Sequence, residues 1–299
     1  MKGDNVSRLI NYLEPPGRWK QGIYQLKNYD EYAAIPALRS HELKLLSKSP
    51  AHYRASFDYP KEITPQLMKS FAKGRAFDAL VLHGQSEFER IVKVEPDIKR
   101  STNDYKAWRA KQPRESAILS AQEKEHVLNM YNSAMKKERF SEIFNGDGHA
   151  HYVVVWQDYS TGIWCKAEID WIRANGTVVD LKSSADASYW FFQRQARRLG
   201  YANQGVFYLQ GLTAVTGKMH TSFMLAVVES EPPFESHIFR VGNDQLLNAQ
   251  VENENRIELL AQCLEKDEWP GYPDQIMDLE SGQYEFEDYD DNETLEGGF

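Results

Sequence analysis

Apolar residues recur at three- and four-residue spacing through most of the first half of the chain, and at two-residue spacing from 151 to 184. "IPALRSHELKLLSKSPAHYRA" predicts a helix in which Ala37, Leu38, Leu45 and Leu46 share a face, ended or kinked at Pro50. "TPQLMKSFAKGRAFDALVLHG" predicts a second, with Thr64 as N-cap and Pro65 at the first helical position. Residues 91–114 read as irregular and polar. "SAQEKEHVLNMYNSAMKKERFSEIF" predicts a third helix, opened by a Ser120/Glu123 capping box. "HYVVVWQDYSTGIWCKAEIDWIRANGTVVDLKSS" then reads as three strands divided by DYSTG and RANG turns. A long helix follows, "SYWFFQRQARRLGYANQGVFYLQGLTAVTG", imperfect at Gly200 and Gly205. Two strands, "TSFMLAVVES" and "ESHIFRVG", and an amphipathic helix, "DQLLNAQVENENRIELLAQCLEK", close the pattern. This order predicts an α/β protein, a mixed sheet between helices, in a single domain over 1–275.

Composition agrees: 299 residues, 41% of them hydrophobic, suffice for one large core. No apolar run reaches membrane-spanning length, and the first residues lack the apolar stretch of a secretory signal, so a cytoplasmic protein with no membrane partner is expected. Cys165 and Cys263 have no ligand-like spacing and read as packing residues. The net charge of −9 argues against a partner of nucleic acid, yet ten acids and no Lys or Arg fall between Asp274 and Glu296. The remainder is close to neutral and has room for a local basic groove. Residues 276–299 read as an acidic, disordered tail, or else as a docking tail for a partner or an electrostatic mimic that competes with DNA.

The RANG turn sets which charges meet. A two-residue Asn-Gly loop would pair Asp170 with Leu181 and put a carboxylate on the apolar face. A three-residue loop, Ala174-Asn175-Gly176 with Gly176 left-handed, pairs Asp170 with Asp180, Glu168 with Lys182, Trp171 with Val179 and Ile169 with Leu181. Charges then share one face. Opposed side chains stand about 5 Å apart at Cβ, so the two carboxylates repel unless a cation lies between them. Oxygen donors suit Mg²⁺, or Mn²⁺, better than zinc. Lys182 points the same way and can orient a hydrolytic water and stabilise phosphoryl charge. The same spacing also describes an ordinary surface face with a cross-strand ion pair.

On the following helix Arg197, Tyr201, Gln204 and Tyr208 are spaced four, three and four, which predicts one polar-aromatic stripe able to hold a phosphate backbone and stack a base. Tyrosines that simply pack would give the same spacing. Residues 170–200 carry five basic residues against three acids, an excess that fits a wall facing DNA.

In order along the chain, "SPAHYRA", "GRAFDALVL", "RSTNDYKAW", "TGIWCKAEIDWI", "VVDLKSS" and "YANQGVFY" resemble the RecE-like (exonuclease VIII type) branch of the PD-(D/E)xK nuclease superfamily, over roughly residues 22 to 275. The resemblance implies a restriction-endonuclease-like core and a Mg²⁺-dependent exonuclease acting on double-stranded DNA ends. It also implies a phage or prophage source, a single-strand annealing partner of the RecT type, and a homo-oligomer such as a ring. By the same likeness Asp170 and Asp180 are metal ligands, the Leu181 carbonyl a further one, Lys182 the catalytic lysine, and Gln204 and Tyr208 a QxxxY element that positions the substrate. Two departures stand out. Where relatives carry GxxxH, this chain has Gly74 and Asp78, so an oxygen donor replaces the imidazole as candidate ligand. Where relatives carry a glutamate on the first strand, His149 and His151 stand here; they could contact metal or phosphate, but two-residue spacing on a strand more often means exposed surface.

The leading expectation is hydrolysis from a DNA end, with Asp78, Asp170 and Asp180 holding one or two ions and Arg197, with Arg75, Arg198 and Tyr201, contacting DNA. A second is a DNA-binding or recombination module whose changed Asp78 and missing glutamate mark weakened catalysis. A third, a phosphohydrolase on small nucleotides, is disfavoured by the lack of a Gly-rich phosphate loop.

Overall fold

The computed structural model describes residues 10–26 and 28–277. Its elements run β1 (Gly22–Gln25), α1 (Tyr29–Ala33), α2 (Ser40–Leu45), α3 (Pro50–Asp58), α4 (Pro65–His83), α5 (Gln85–Ile91), β2 (Val92–Val94), α6 (Asn103–Ala110), β3 (Ala117–Leu119), α7 (Ala121–Met135) and α8 (Glu138–Phe144). The second half contains β4 (Gly148–Gln157), β5 (Trp164–Arg173), β6 (Val178–Ser184), α9 (Tyr189–Leu199), α10 (Tyr201–Thr216), β7 (Phe223–Glu229), β8 (Ser236–Arg240) and α11 (Asn243–Lys266). A six-stranded sheet has the order β1-β4-β5-β6-β7-β8, antiparallel throughout except for the parallel β6–β7 pair. That parallel pair requires a crossover, which α9 and α10 supply.

Helices cover both faces. Val178, Phe223, Leu225 and Val227 pack with α10 and α11 residues such as Phe207, Leu212 and Leu260. The alternate residues Val179, Leu181, Ala226 and Val228 pack with Phe77 and Leu80 of α4 and Val127 of α7. The predicted mixed α/β core is therefore the observed one. Both cysteines are buried and free, as packing residues should be. Among the described residues no helix is long and apolar enough to cross a membrane. The acidic segment lies outside the described residues but for Ile276 and Met277.

Several elements differ from the pattern reading, each for a local reason. The helix expected over 35–55 starts only at Ser40, because Leu38 is extended and bridges to Cys165, donating to the Trp164 carbonyl (2.8 Å) and accepting from Lys166 N–H (2.8 Å), and it is divided at Pro50, the expected end or kink, where α3 begins. Leu45 consequently turns outward, while Ala37, Leu38 and Leu46 are buried. The "irregular" stretch 91–114 contains β2, paired in parallel with β3, and α6. The helix from 121 breaks after Met135 into α7 and α8, although its Ser120/Glu123 capping box forms as expected. Gly200, left-handed at φ 74°, splits the predicted long helix into α9 and α10. Gly205 instead continues α10, since a Cβ there would stand 2.3 Å from the Phe223 ring. Strand β1, only four residues long, has too few residues to show a period.

Candidate active site

The three-residue turn forms with Gly176 at φ 82°, and Trp171 pairs with Val179 and Ile172 with Val178 as the register requires. Pairing of β5 with β6 then stops. Further along the same edge of β5, Leu38 has taken the bridging position at Cys165. Between these two points the edge of β5 is open, and Asp170 lies at its inner end. Its Oδ2 accepts from Leu181 N–H at 2.8 Å, so a side chain replaces the missing ladder bond.

The other edge of β5 is disturbed at the same row. The β4–β5 register runs through Ala150↔Trp171 and Tyr152↔Ile169 and leaves out the row between them, His151 with Asp170. His151 has φ 50°, an unfavourable conformation for a strand residue. On either side of that row the strands exchange faces: Tyr152 and Ile169 pack with the α10 layer, Ala150 and Trp171 with the α4 layer. The expected Glu168–Lys182 pair therefore does not form. Glu168 sits opposite Val153, and its Oε1 is 3.5 Å from His151 Nδ1. His151 also stacks on His83 at 4.9 Å. His149 is exposed, as expected, whereas His151 is drawn into the cluster.

Asp180 and Lys182, two residues apart on β6, are both buried, with Lys182 Nζ 2.6 Å from Asp180 Oδ2. That contact is close but poorly directed, and Oδ2 has no good hydrogen bond. The ammonium also lies 4.9 Å over the Tyr201 ring. Burial opposes its charge, but Asp180, then Tyr201 and Asp170, hold the lysine protonated above its usual range. Burial raises the Asp170 carboxyl well above the ordinary carboxylate range, and repulsion from Asp180 and Asp78 adds to this. Asp180 is raised by burial and held back by Lys182. Asp78, half-buried on α4, is pushed up to about 7 by burial, relieved partly by His151 and Lys182. His151 is raised to about 9: Glu168, Asp170 and Asp78 outweigh the burial that opposes its charge.

These residues fit a divalent cation in chemistry. The donors are carboxylate oxygens that repel one another, and one of them is buried without a directed partner. Among the described residues no group of three His, Cys, Asp or Glu side chains converges closely enough to hold an ion. The side-chain donors at hand are thus Asp170 and Asp180, with the Leu181 carbonyl beside them and Asp78 coupled through charge.

On α10, Gln204 Nε2 donates to the Tyr208 hydroxyl at 2.7 Å, and Tyr208 is buried close enough to Asp180 and Asp170 to feel their charge. The predicted Arg197–Tyr208 stripe is not continuous, because the left-handed Gly200 divides it. Tyr201 is 3% exposed and cannot stack a base; it packs against Lys182 instead. Arg75 is not a free DNA contact either: its guanidinium donates to the Ser116 carbonyl at 3.3 Å. Arg197 is exposed and Arg198 half-buried. Sequence reasoning missed the His151–Glu168 pair. The spacing of Glu168 from Asp170 was visible, but the exchange of faces that sends it to His151 was not.

Known proteins extend this picture. A crystal structure of a candidate exonuclease from Eubacterium rectale matches with a TM-score of 0.55, covering 87% of this chain and 99% of that one at 16% identity, a likeness of fold alone. The crystal structure of SSO0001 covers 64% of this chain and 85% of its own at 13% identity, and its TM-score of 0.27 carries no argument. No curated protein matches. A family model described as "PDDEXK-like domain of unknown function (DUF3799)" matches residues 40–280. That span contains Asp78, Asp170, Asp180, Lys182, Gln204 and Tyr208, and the chain belongs to this PDDEXK-like family.

Proposed function

We propose that the chain is a divalent-metal-dependent nuclease of the RecE-like type, hydrolysing phosphodiester bonds from the ends of double-stranded DNA. The observation that carries the reading is the opening between β5 and β6, where Asp170 and Asp180 come together with a protonated Lys182 between otherwise apolar layers. Asp170, Asp180 and the Leu181 carbonyl would hold Mg²⁺ or Mn²⁺, with Asp78 balancing charge beside them. Such an ion, when bound, supplies Lewis-acid stabilisation of a phosphoryl centre. Because Lys182 stays protonated, it acts as a donor to phosphoryl oxygens as they gather negative charge, not as the base. Gln204 and Tyr208 fix one another on α10, with Tyr208 buried beside the two carboxylates. Arg197, exposed beyond the site, is the candidate phosphate contact.

Action on DNA ends rests on the family resemblance, and the description of the Eubacterium rectale protein as an exonuclease supports cleavage from an end. The same resemblance supports a phage or prophage setting in a bacterial cytoplasm, an annealing partner and an oligomeric ring. The test uses linear duplex labelled at its 5′ or 3′ end, with and without Mg²⁺. Wild type should shorten the labelled strand only with metal, and Lys182→Ala should lose that activity. A second reading, a DNA-binding module with weakened catalysis, draws on Asp78 in place of histidine and on the lack of a three-side-chain ligand cluster among the described residues. It predicts duplex binding without metal-dependent shortening.

A further inference from the structure

Helix α9 has a feature of which the proposed reaction uses only Arg197. Its sequence, YWFFQRQARRL, has no acid, and it exposes large aromatics in its first turn: Tyr189 (52%), Trp190 (73%) and Phe191 (37%). Trp190, Arg194 and Arg197 are spaced i, i+4 and i+7, so they share one face, and all three are exposed. Neither Arg194 nor Arg197 has an ion pair among the described residues. The opposite face is anchored by Phe192, which is buried and stacks on Phe239 of β8 at 4.9 Å. Burial therefore does not explain the exposed stripe.

Two contacts tie this helix to the site. Gln195 Oε1 accepts from the Ser184 hydroxyl at 2.6 Å, and Ser184 is two residues beyond Lys182 on β6. Gly200 ends α9, and the next residue is Tyr201, whose ring lies under the Lys182 ammonium. Eleven residues of helix span about 16 Å, enough for about three nucleotides of extended strand. Base stacking needs an exposed ring, phosphate binding needs exposed cations, and α9 carries both on one face.

We propose that the Trp190–Arg194–Arg197 face of α9 is a track for an unpaired DNA strand, with Trp190 stacking a base and the arginines holding phosphates. This rests on the nuclease reading only for the strand's destination; the track binds whether or not the site cuts. A second copy of the chain, or a partner protein, covering the aromatics is the competing occupant. The charge favours DNA, because exposed arginines beside a tryptophan suit a polyanion that also offers flat rings.

Anisotropy of labelled DNA in chelator, where nothing is cut, tests the track. Single strand, blunt duplex and tailed duplex are compared with wild type, Trp190→Ala, Trp190→Phe and Arg194→Gln/Arg197→Gln. Stacking of one base predicts a loss of about tenfold for Trp190→Ala on single strand and tailed duplex. The loss on blunt duplex should be much smaller, and Trp190→Phe should restore most of the binding. The arginine pair should lower the dependence of affinity on salt. Equal losses on blunt and tailed DNA, or no loss, would overturn the proposal. So would unchanged DNA affinity with Trp190→Ala dissociating an oligomer in sedimentation. If wild type shortens no duplex yet shows the tail preference, the nuclease reading fails and the track stands.

Discussion

Replacing Gly205 by alanine separates packing from propensity in α10. A Cβ at Gly205 would stand 2.3, 2.6 and 2.7 Å from Cδ1, Cγ and Cε1 of Phe223. That ring is fully buried on β7 and packs edge-on against Tyr208 at 6.4 Å, so it has no direction in which to yield. Alanine gains about 1 kcal/mol over glycine in helix propensity. Overpacking costs about 1–3 kcal/mol and occasionally more, and contacts this short belong at the upper end. The net loss is about 2 kcal/mol, which for a chain of this size lowers Tm by about 3 °C. Any relief by outward movement of α10 would carry Tyr201, Gln204 and Tyr208 away from Lys182 and the carboxylates, so nuclease activity should fall as well. Thermal melting followed by circular dichroism measures the first effect. Adding Phe223→Leu removes the clash, and the double variant should melt above Gly205→Ala alone. A Gly205→Ala protein that melts at or above wild type would refute the reasoning.

Asp170→Asn removes one of the mutually repelling buried carboxylates while keeping an oxygen for Leu181 N–H, and should raise metal-free stability by about 1–2 kcal/mol while abolishing hydrolysis. Mg²⁺ at a hundred times its Kd should add about 2.7 kcal/mol to wild type and little to this variant, as read by thermal melting. Tyr208→Phe strands the Gln204 amide and should cost about 1 kcal/mol; it should slow hydrolysis as much as Gln204→Ala does, with no further loss in the double variant. Lys166, buried, donates to the Tyr32 and Ile35 carbonyls at 2.8 and 2.6 Å, and burial lowers it to about 8 from 10.5. Between those pH values the folded state gives up this proton before the unfolded chain does. The lysine's contribution therefore rises with pH across that window, by at most about 3 kcal/mol, and denaturant titrations should show the rise to be absent in Lys166→Met.

Much of the molecule was legible in the residues alone. The turn at Ala174-Asn175-Gly176 follows from one glycine's freedom at positive φ, and with it came Trp171 opposite Val179. The Thr64 and Ser120 caps are local hydrogen bonds that need no distant partner, and both formed. The sheet's alternation along β6 and β7 followed from period two. The six residues Asp78, Asp170, Asp180, Lys182, Gln204 and Tyr208 were all named from spacing and resemblance, and charge couples the four ionisable ones at the site, Asp78, Asp170, Asp180 and Lys182.

What the sequence could not reveal depends on contacts between segments far apart in the chain. Leu38 binds β5 more than a hundred residues away, which holds it out of the predicted helix and occupies the edge of β5 beyond Asp170, where β6 no longer pairs. The exchange of faces at His151 couples two strands at once, so neither strand's period predicts it; it turns Glu168 from Lys182 to His151. Gly200 and Gly205 look alike in sequence, yet one breaks the helix and the other admits the Phe223 ring, a difference set by what lies opposite. Local patterns determine the elements because their energies come from neighbours along the chain, while only the assembled fold decides where an edge opens, and that opening makes the site.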